Sequence, residues 1–139
     1  MLFSFVGSFF AFYGVCMGKY IVGISGASGF ILGLKTAKAL IKAHHEVFLV
    51  ISEDAKVTAR YEIDQTFQED HDVVKWFPEE MRSSLTLCNP CDLSASIASG
   101  TFPIQGMVVA PCSMTSLAAL SIGLADTLLR RAADVTLKE

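Results

Sequence analysis

Lys19-Tyr-Ile-Val-Gly-Ile-Ser-Gly-Ala-Ser-Gly29 is the stretch on which the reading of this chain turns. A short apolar strand ends in Ser25-Gly26-Ala27-Ser28-Gly29, and an apolar helical pattern follows at once. Glycines let a backbone turn tightly and approach a ligand, and the N–H groups opening a helix attract an anion. The glycines fall at 23, 26, 29 and 33. That spacing is neither the G-x-G-x-x-G of dinucleotide enzymes nor a G-x-x-x-x-G-K-[ST] phosphate loop. The turn by itself admits two readings: a phosphate-binding junction, or merely a tight connection between strand and helix.

Outward from that turn, residues 20–25 read as a buried strand. Phe30 to Ala43 reads as a helix with apolar residues at 30, 31, 34, 37, 40 and 41, while Lys35, Lys38 and Lys42 lie off that face. Glu46-Val-Phe-Leu-Val-Ile-Ser52 is a second strand, continuously apolar at its centre, as suits a parallel sheet covered on both faces. Together these make a right-handed crossover unit. Residues 53–62 read as a helix whose first turn holds Glu53 and Asp54, the favourable end for acids. Residues 63–103 are mostly polar, with Asp92–Ser99 as a short helix and Gly100–Pro103 as a turn.

Gly106-Met-Val-Val-Ala-Pro-Cys112 reads as a third strand, and Ser113 as the N-cap of an apolar helix from Met114 to Leu124. This is a second strand-to-helix junction crowded with hydroxyls: Ser113, Thr115 and Ser116. Two such junctions in one doubly wound sheet aim their helix starts at the same edge, where ligands of open α/β sheets bind. Asp126 to Leu137 reads as a last helix carrying Arg130 and Arg131, with Lys138 at its end. Only three strands are legible, and a strand is expected to follow that last helix and cover it, so the sequence reads as cut short.

The chain has 139 residues and a formal charge of −3, with 52% apolar and 18% charged residues. That length suits one domain; the composition excludes disorder, and no basic patch invites nucleic acid. Residues 1–16, MLFSFVGSFFAFYGVC, carry no charge. They have no basic region ahead of the apolar run, no clear cleavage site, and too few residues to span a bilayer. The expectation is an apolar leader outside the fold, with the domain occupying 17–139 and Met17 its start; a targeting or anchoring segment is the other reading. Cys88-Asn-Pro-Cys91 is a C-x-x-C without the two further ligands that zinc needs, set in a polar loop rather than opening a helix. Loop cysteines of a reducing cytoplasm are the simpler reading.

Five blocks occur in order: Ile21-Val-Gly-Ile-Ser-Gly-Ala-Ser-Gly29, Leu49-Val-Ile-Ser-Glu53, Ile97-Ala-Ser-Gly-Thr-Phe102, Gly106-Met-Val-Val-Ala-Pro-Cys-Ser-Met114 and Arg131-Ala-Ala-Asp-Val-Thr-Leu-Lys-Glu139. This succession closely resembles the flavin prenyltransferases of the UbiX type, over about residues 18–139, with the weakest match at 64–90. The resemblance implies an α/β fold, a Rossmann-like (flavodoxin-like) three-layer αβα sandwich with a parallel sheet, here incomplete at the C-terminus. It implies FMN as prenyl acceptor, dimethylallyl phosphate as donor and no metal. The product would serve a UbiD-type decarboxylase in ubiquinone biosynthesis or aromatic acid decarboxylation. It also implies a cytoplasmic homo-oligomer, commonly a dodecamer. By the same resemblance Gly26, Ala27, Ser28, Ser52, Ser113, Met114, Thr115 and Ser116 would hold FMN. Arg131 and Lys138 match basic residues near the prenyl phosphate, and Glu62 matches an acid involved in proton handling. Those residue types suit the chemistry: hydroxyls and N–H groups for a phosphate, cations for a departing phosphate, a carboxylate for a proton.

Three departures stand out. The family's Ser-Met-Lys-Thr is Ser113-Met-Thr-Ser116 here, and its Thr-Arg before Ala-Ala-Asp is Arg130-Arg131. The family's C-terminal portion, with residues that bind flavin and the prenyl phosphate, has no counterpart, so this 139-residue form is expected to be impaired or inactive. Two alternatives stand beside the prenyltransferase: an FMN-dependent cysteine decarboxylase of the same fold, and a non-catalytic flavin-binding fragment.

Overall fold

A computed structural model describes residues 17–63, 67 and 70–139. The leader assigned to residues 1–16 lies outside the described residues.

Four strands form one parallel sheet: β1 (Lys19–Ile24), β2 (Glu46–Ile51), β3 (Leu85–Cys88) and β4 (Gly106–Val109), in the order β3-β2-β1-β4. The central pair is in register from Lys19 opposite Glu46 to Ile24 opposite Ile51. Successive side chains of a strand point to opposite faces, so the unbroken apolar runs of β1 and β2 feed two cores. On one face Val22, Ile24, Val47, Leu49 and Ile51 pack with α1 (Phe30–Lys42) and α2 (Glu53–Glu62), joined by Phe67, Val73 and Phe77. On the other, Ile21, Phe48 and Val50 meet Ile97 and Ala98 of a short 3-10 turn and Leu128, Leu129 and Ala132 of the last helix. The three-layer αβα reading therefore holds.

The three-strand reading does not. Leu85-Thr-Leu-Cys88 is a fourth strand, paired from Val47 opposite Leu85 to Val50 opposite Cys88. Cys88 thus ends a strand rather than lying in a loop. A four-residue α3 (Glu79–Arg82) and a 3-10 stretch, Asp70–Trp76, precede β3. The helix expected over 92–99 shrinks to the 3-10 turn Ser96–Ala98, because Asp92 accepts bonds from the Ser94 N–H and hydroxyl and closes its own turn. β4 stops at Val109, three residues before the expected end; a cis Ala110–Pro111 peptide follows. Helix α4 (Met114–Ser121) gives way near Gly123, whose φ is +70°, short of the expected Leu124. Helix α5 (Leu128–Lys138) opens at Thr127 rather than Asp126, since the Thr127 hydroxyl accepts the Arg130 N–H.

Candidate functional site

Every strand ends at the same edge, and the helices that follow begin there. Three of those starts are capped by hydroxyls. Ser52 accepts the Ala55 N–H at 3.2 Å for α2, Ser113 accepts the Ser116 N–H at 3.1 Å for α4, and Thr127 accepts the Arg130 N–H at 3.4 Å for α5. Further N–H groups at these starts, those of Glu53, Asp54, Met114 and Thr115, have no partner among the described residues. Unpaired N–H donors at a helix start form an anion-attracting field.

The starts converge. Ser52, Ser116, Thr127 and Arg130 line one cavity of about 140 Å³, with Pro90 and Cys91 on another wall and Glu53 and Asp54 at α2. A main-chain bond from the Leu128 N–H to the Pro90 carbonyl, 3.0 Å, closes one side. Its volume falls below the ~300 Å³ typical of whole-ligand pockets, so it suits the phosphate end of a larger ligand lying along the open sheet edge.

Ser25 fastens the two junctions that the sequence singled out. It is 1% exposed; its hydroxyl donates to the Pro111 carbonyl at 2.9 Å and accepts the Ser113 N–H at 2.6 Å. Ser113 in turn donates to the buried Ser116 hydroxyl at 3.0 Å. Gly26 backs directly onto Asp54, so any side chain there would collide with the first turn of α2. The glycine turn is thus a packing requirement as well as an opening for a ligand.

Glu62 occupies an unexpected position. Its carboxylate accepts the Gly29 N–H at 3.0 Å and the Phe30 N–H at 2.9 Å, capping α1 from the far end of α2. Gly29 sits at φ +97° and has no side chain with which to cap that helix itself.

The predicted residues therefore divide into groups. Ser52 and Ser116 share the cavity; Ser113 is bonded to Ser116; Gly26, Ala27 and Ser28 form the adjoining turn; Met114 and Thr115 lie exposed at the start of α4. Arg131 and Lys138 are brought together by Asp134, 3.7 and 2.8 Å from their nitrogens, and Arg131 also donates to the Ala98 carbonyl at 3.1 Å. Neither lines the cavity, and Glu62 stands apart from both. Residues named in the sequence but not assigned to the site are Ser25 and Arg130, and Thr127 was not named. The pattern of a hydroxyl three residues before a basic helix residue was the available signal for the last two.

Electrostatics sharpen the picture. The Arg130 guanidinium holds Asp126 below the usual carboxylate range through bonds of 2.7 and 3.0 Å. Bonds from Ser94 do the same for Asp92. Burial, with Asp92 nearby, pushes the Cys88 thiol up to about 11, which keeps it protonated and unreactive at neutral pH. Cys88, Cys91 and Cys112 are free thiols. Among the described residues no cluster of His, Cys, Asp and Glu could hold a metal, and no helix is long and apolar enough to cross a membrane.

The family described as Flavoprotein matches residues 17–139. A flavin prenyltransferase UbiX of Chlamydia pneumoniae is 45% identical over 124 residues, covering 88% of this chain and 62% of that protein. A probable UbiX-like flavin prenyltransferase of Bacillus subtilis is 44% identical over 87% of this chain and 54% of its own length. Among solved structures, AnUbiX (PadA1) in complex with FMN and dimethylallyl pyrophosphate superposes with a TM-score of 0.73 at 37% identity, covering 88% of this chain and 60% of that one. A dodecameric FMN-dependent UbiX-like decarboxylase from Escherichia coli O157:H7 gives 0.73 at 42% identity, covering 87% and 61%. The chain thus spans about six-tenths of the length of the relatives it matches. Matched across its whole described fold, and similar over that span to flavin prenyltransferases of the UbiX kind, the chain belongs to the Flavoprotein family.

Proposed function

We propose that this chain binds FMN and serves flavin prenyl transfer, in which a dimethylallyl group from dimethylallyl phosphate is joined to FMN for use by a UbiD-type decarboxylase. The observation that carries the reading is the convergence of three hydroxyl-capped helix starts and Arg130 on one small cavity beside the Ser25–Gly29 turn. Its donors are hydroxyls, N–H groups and a guanidinium, which fit a phosphate monoester. No part of the reading calls for a metal.

When bound, FMN supplies the ring atoms that accept the prenyl group. The protein's contribution is to bind, orient and neutralise. Ser52 and Ser116, with the N–H groups of Met114 and Thr115, hold the cofactor's polar end. Gly26, Ala27 and Ser28 would offer FMN a close backbone surface, and Ser25 ties that turn to the start of α4 at Ser113. Arg131 and Lys138 outnumber the single Asp134 carboxylate between them, leaving positive charge for a departing phosphate. Glu62, held at the Gly29 and Phe30 N–H groups, would supply the carboxylate that takes up a proton.

Assembly into a homo-oligomer accompanies this reading, since the Escherichia coli relative is dodecameric. So does a cytoplasmic setting, which accords with three free thiols. The domain is residues 17–139, with residues 1–16 as a leader. The test uses the full 139-residue chain: quenching of FMN fluorescence measures binding, and the flavin mass is read after adding dimethylallyl phosphate or, in parallel, its diphosphate. Binding with a gain of one prenyl group is the result expected of a competent site; binding without the gain reduces the function to a flavin cradle. A folded chain that leaves FMN fluorescence unchanged overturns the proposal.

A further inference from the structure

The sequence differs from its family's pattern at Arg130, and the structure puts that residue where an anion would be read. We propose that Arg130 recognises the flavin phosphate and makes the site selective for FMN over riboflavin; the inference rests on the flavin reading above. Four observations lead there. Among the described residues Arg130 is the single basic residue lining the cavity, whose other charged groups, Glu53 and Asp54, would repel a phosphate dianion. It sits in the first turn of α5, the end of a helix that disfavours a cation, with Asp126 as its ion-pair partner. Its side chain is only 18% exposed. Both of its bonds to Asp126 use the same nitrogen, Nη1, so Nε and Nη2 offer three N–H donors with no acceptor among the described residues.

A guanidinium on a side chain only 18% exposed, with three of its five N–H donors unused among the described residues, is a receptor for a second oxyanion. A phosphate monoester matches that fork geometry, and the Ser52, Ser116 and Thr127 hydroxyls sit around the same space. Asp126 then acts as a positioning residue: it steadies Nη1 and leaves the remaining donors directed elsewhere.

The experiment compares FMN with riboflavin, which differ only in the phosphate, by fluorescence quenching on the full chain and on Arg130→Gln. Charge-assisted bonds of this kind correspond to roughly 10- to 100-fold in affinity. FMN binding is expected to weaken by about that factor in R130Q while riboflavin binding stays within about twofold, closing the gap between the two ligands. R130K, which keeps the charge without the fork, is expected to fall between, and it carries the comparison if R130Q does not fold. Equal losses for both flavins, or no loss for either, would overturn the Arg130 assignment alone. Failure of the unaltered, folded chain to bind either flavin would overturn the flavin reading and the assignment with it.

Discussion

Glu62→Ala removes the side-chain cap that α1 has among the described residues. The carboxylate takes two of the N–H groups that a helix start leaves unpaired, those of Gly29 and Phe30, at 3.0 and 2.9 Å. A side-chain cap contributes about 0.5–2 kcal/mol, and a carboxylate at the positive end of a helix dipole about 0.3–1 kcal/mol. The side chain is exposed and must be ordered from the end of another helix, 33 residues away, so the lower half of each range applies. The expected loss is about 1–1.5 kcal/mol, or ~3–7 °C in Tm for a domain of this size. Glu62→Gln, which keeps one acceptor and loses the charge, is expected to lose about half as much. Two-state urea and thermal unfolding of the full chain measure both variants. Because the vacated helix start would attract an anion, sulfate is expected to recover part of the loss in E62A and little in the unaltered chain. A Tm within about 1 °C of the unaltered chain in low salt, with no differential effect of sulfate, would refute the capping argument.

Three further outcomes follow from other contacts. Ser25→Ala orphans the half-buried Ser113 N–H and is expected to cost about 1–2 kcal/mol in urea unfolding, with weaker flavin binding because the start of α4 loses its side-chain tie to the Ser25 turn. Gly26→Val drives a side chain into Asp54; a loss of about 1–3 kcal/mol, together with loss of flavin quenching, is expected, and an unchanged Tm would contradict the close packing. Iodoacetamide at pH 8 should label Cys91 and Cys112 well before Cys88, as mass mapping would reveal. The same raised thiol makes stability fall with alkali. The unfolded chain releases the Cys88 proton near its ordinary value of 9.0 and the folded chain only near 11, so the contribution is intact below pH 9 and is lost as pH climbs toward 11. Cys88→Ser should flatten that part of the profile.

What the sequence disclosed and what it hid follow from the range of the interactions involved. β1, α1, β2 and α2 announce themselves because their signals are local: apolar runs, a 3.6-residue stripe, Ser52 ahead of an acidic first turn. β3 is four residues containing one threonine and a cysteine beside Asn-Pro; what makes it a strand is pairing with Val47–Val50, about 38 residues earlier. Ser25 reads as one more turn hydroxyl until its partners at 111 and 113 are known. Which of Arg130 and Arg131 faces the cavity depends on the rotational phase of α5, and starting that helix two residues late in chain order, at Leu128, sets the phase. The serine and glycine cradle was legible because each residue sits at the strand-to-helix junction its own neighbours define. Glu62 was identified only through the family pattern, and nothing in its local sequence points to Gly29.

The sheet divides the apolar interior unevenly. Among the described residues, fourteen buried side chains form the cluster under α1 and α2, against eight under α5. Fewer buried contacts mean a lower free energy of local opening, so amides of α5 and of Ser96–Ala98 should exchange with solvent before those of α1. The cavity is built partly from that thinner layer, through Thr127, Leu129 and Arg130. An occupant therefore bridges the firm half of the molecule to the loose one, and slowed amide exchange along α5 becomes a direct gauge of occupancy, independent of any colour or turnover the ligand provides.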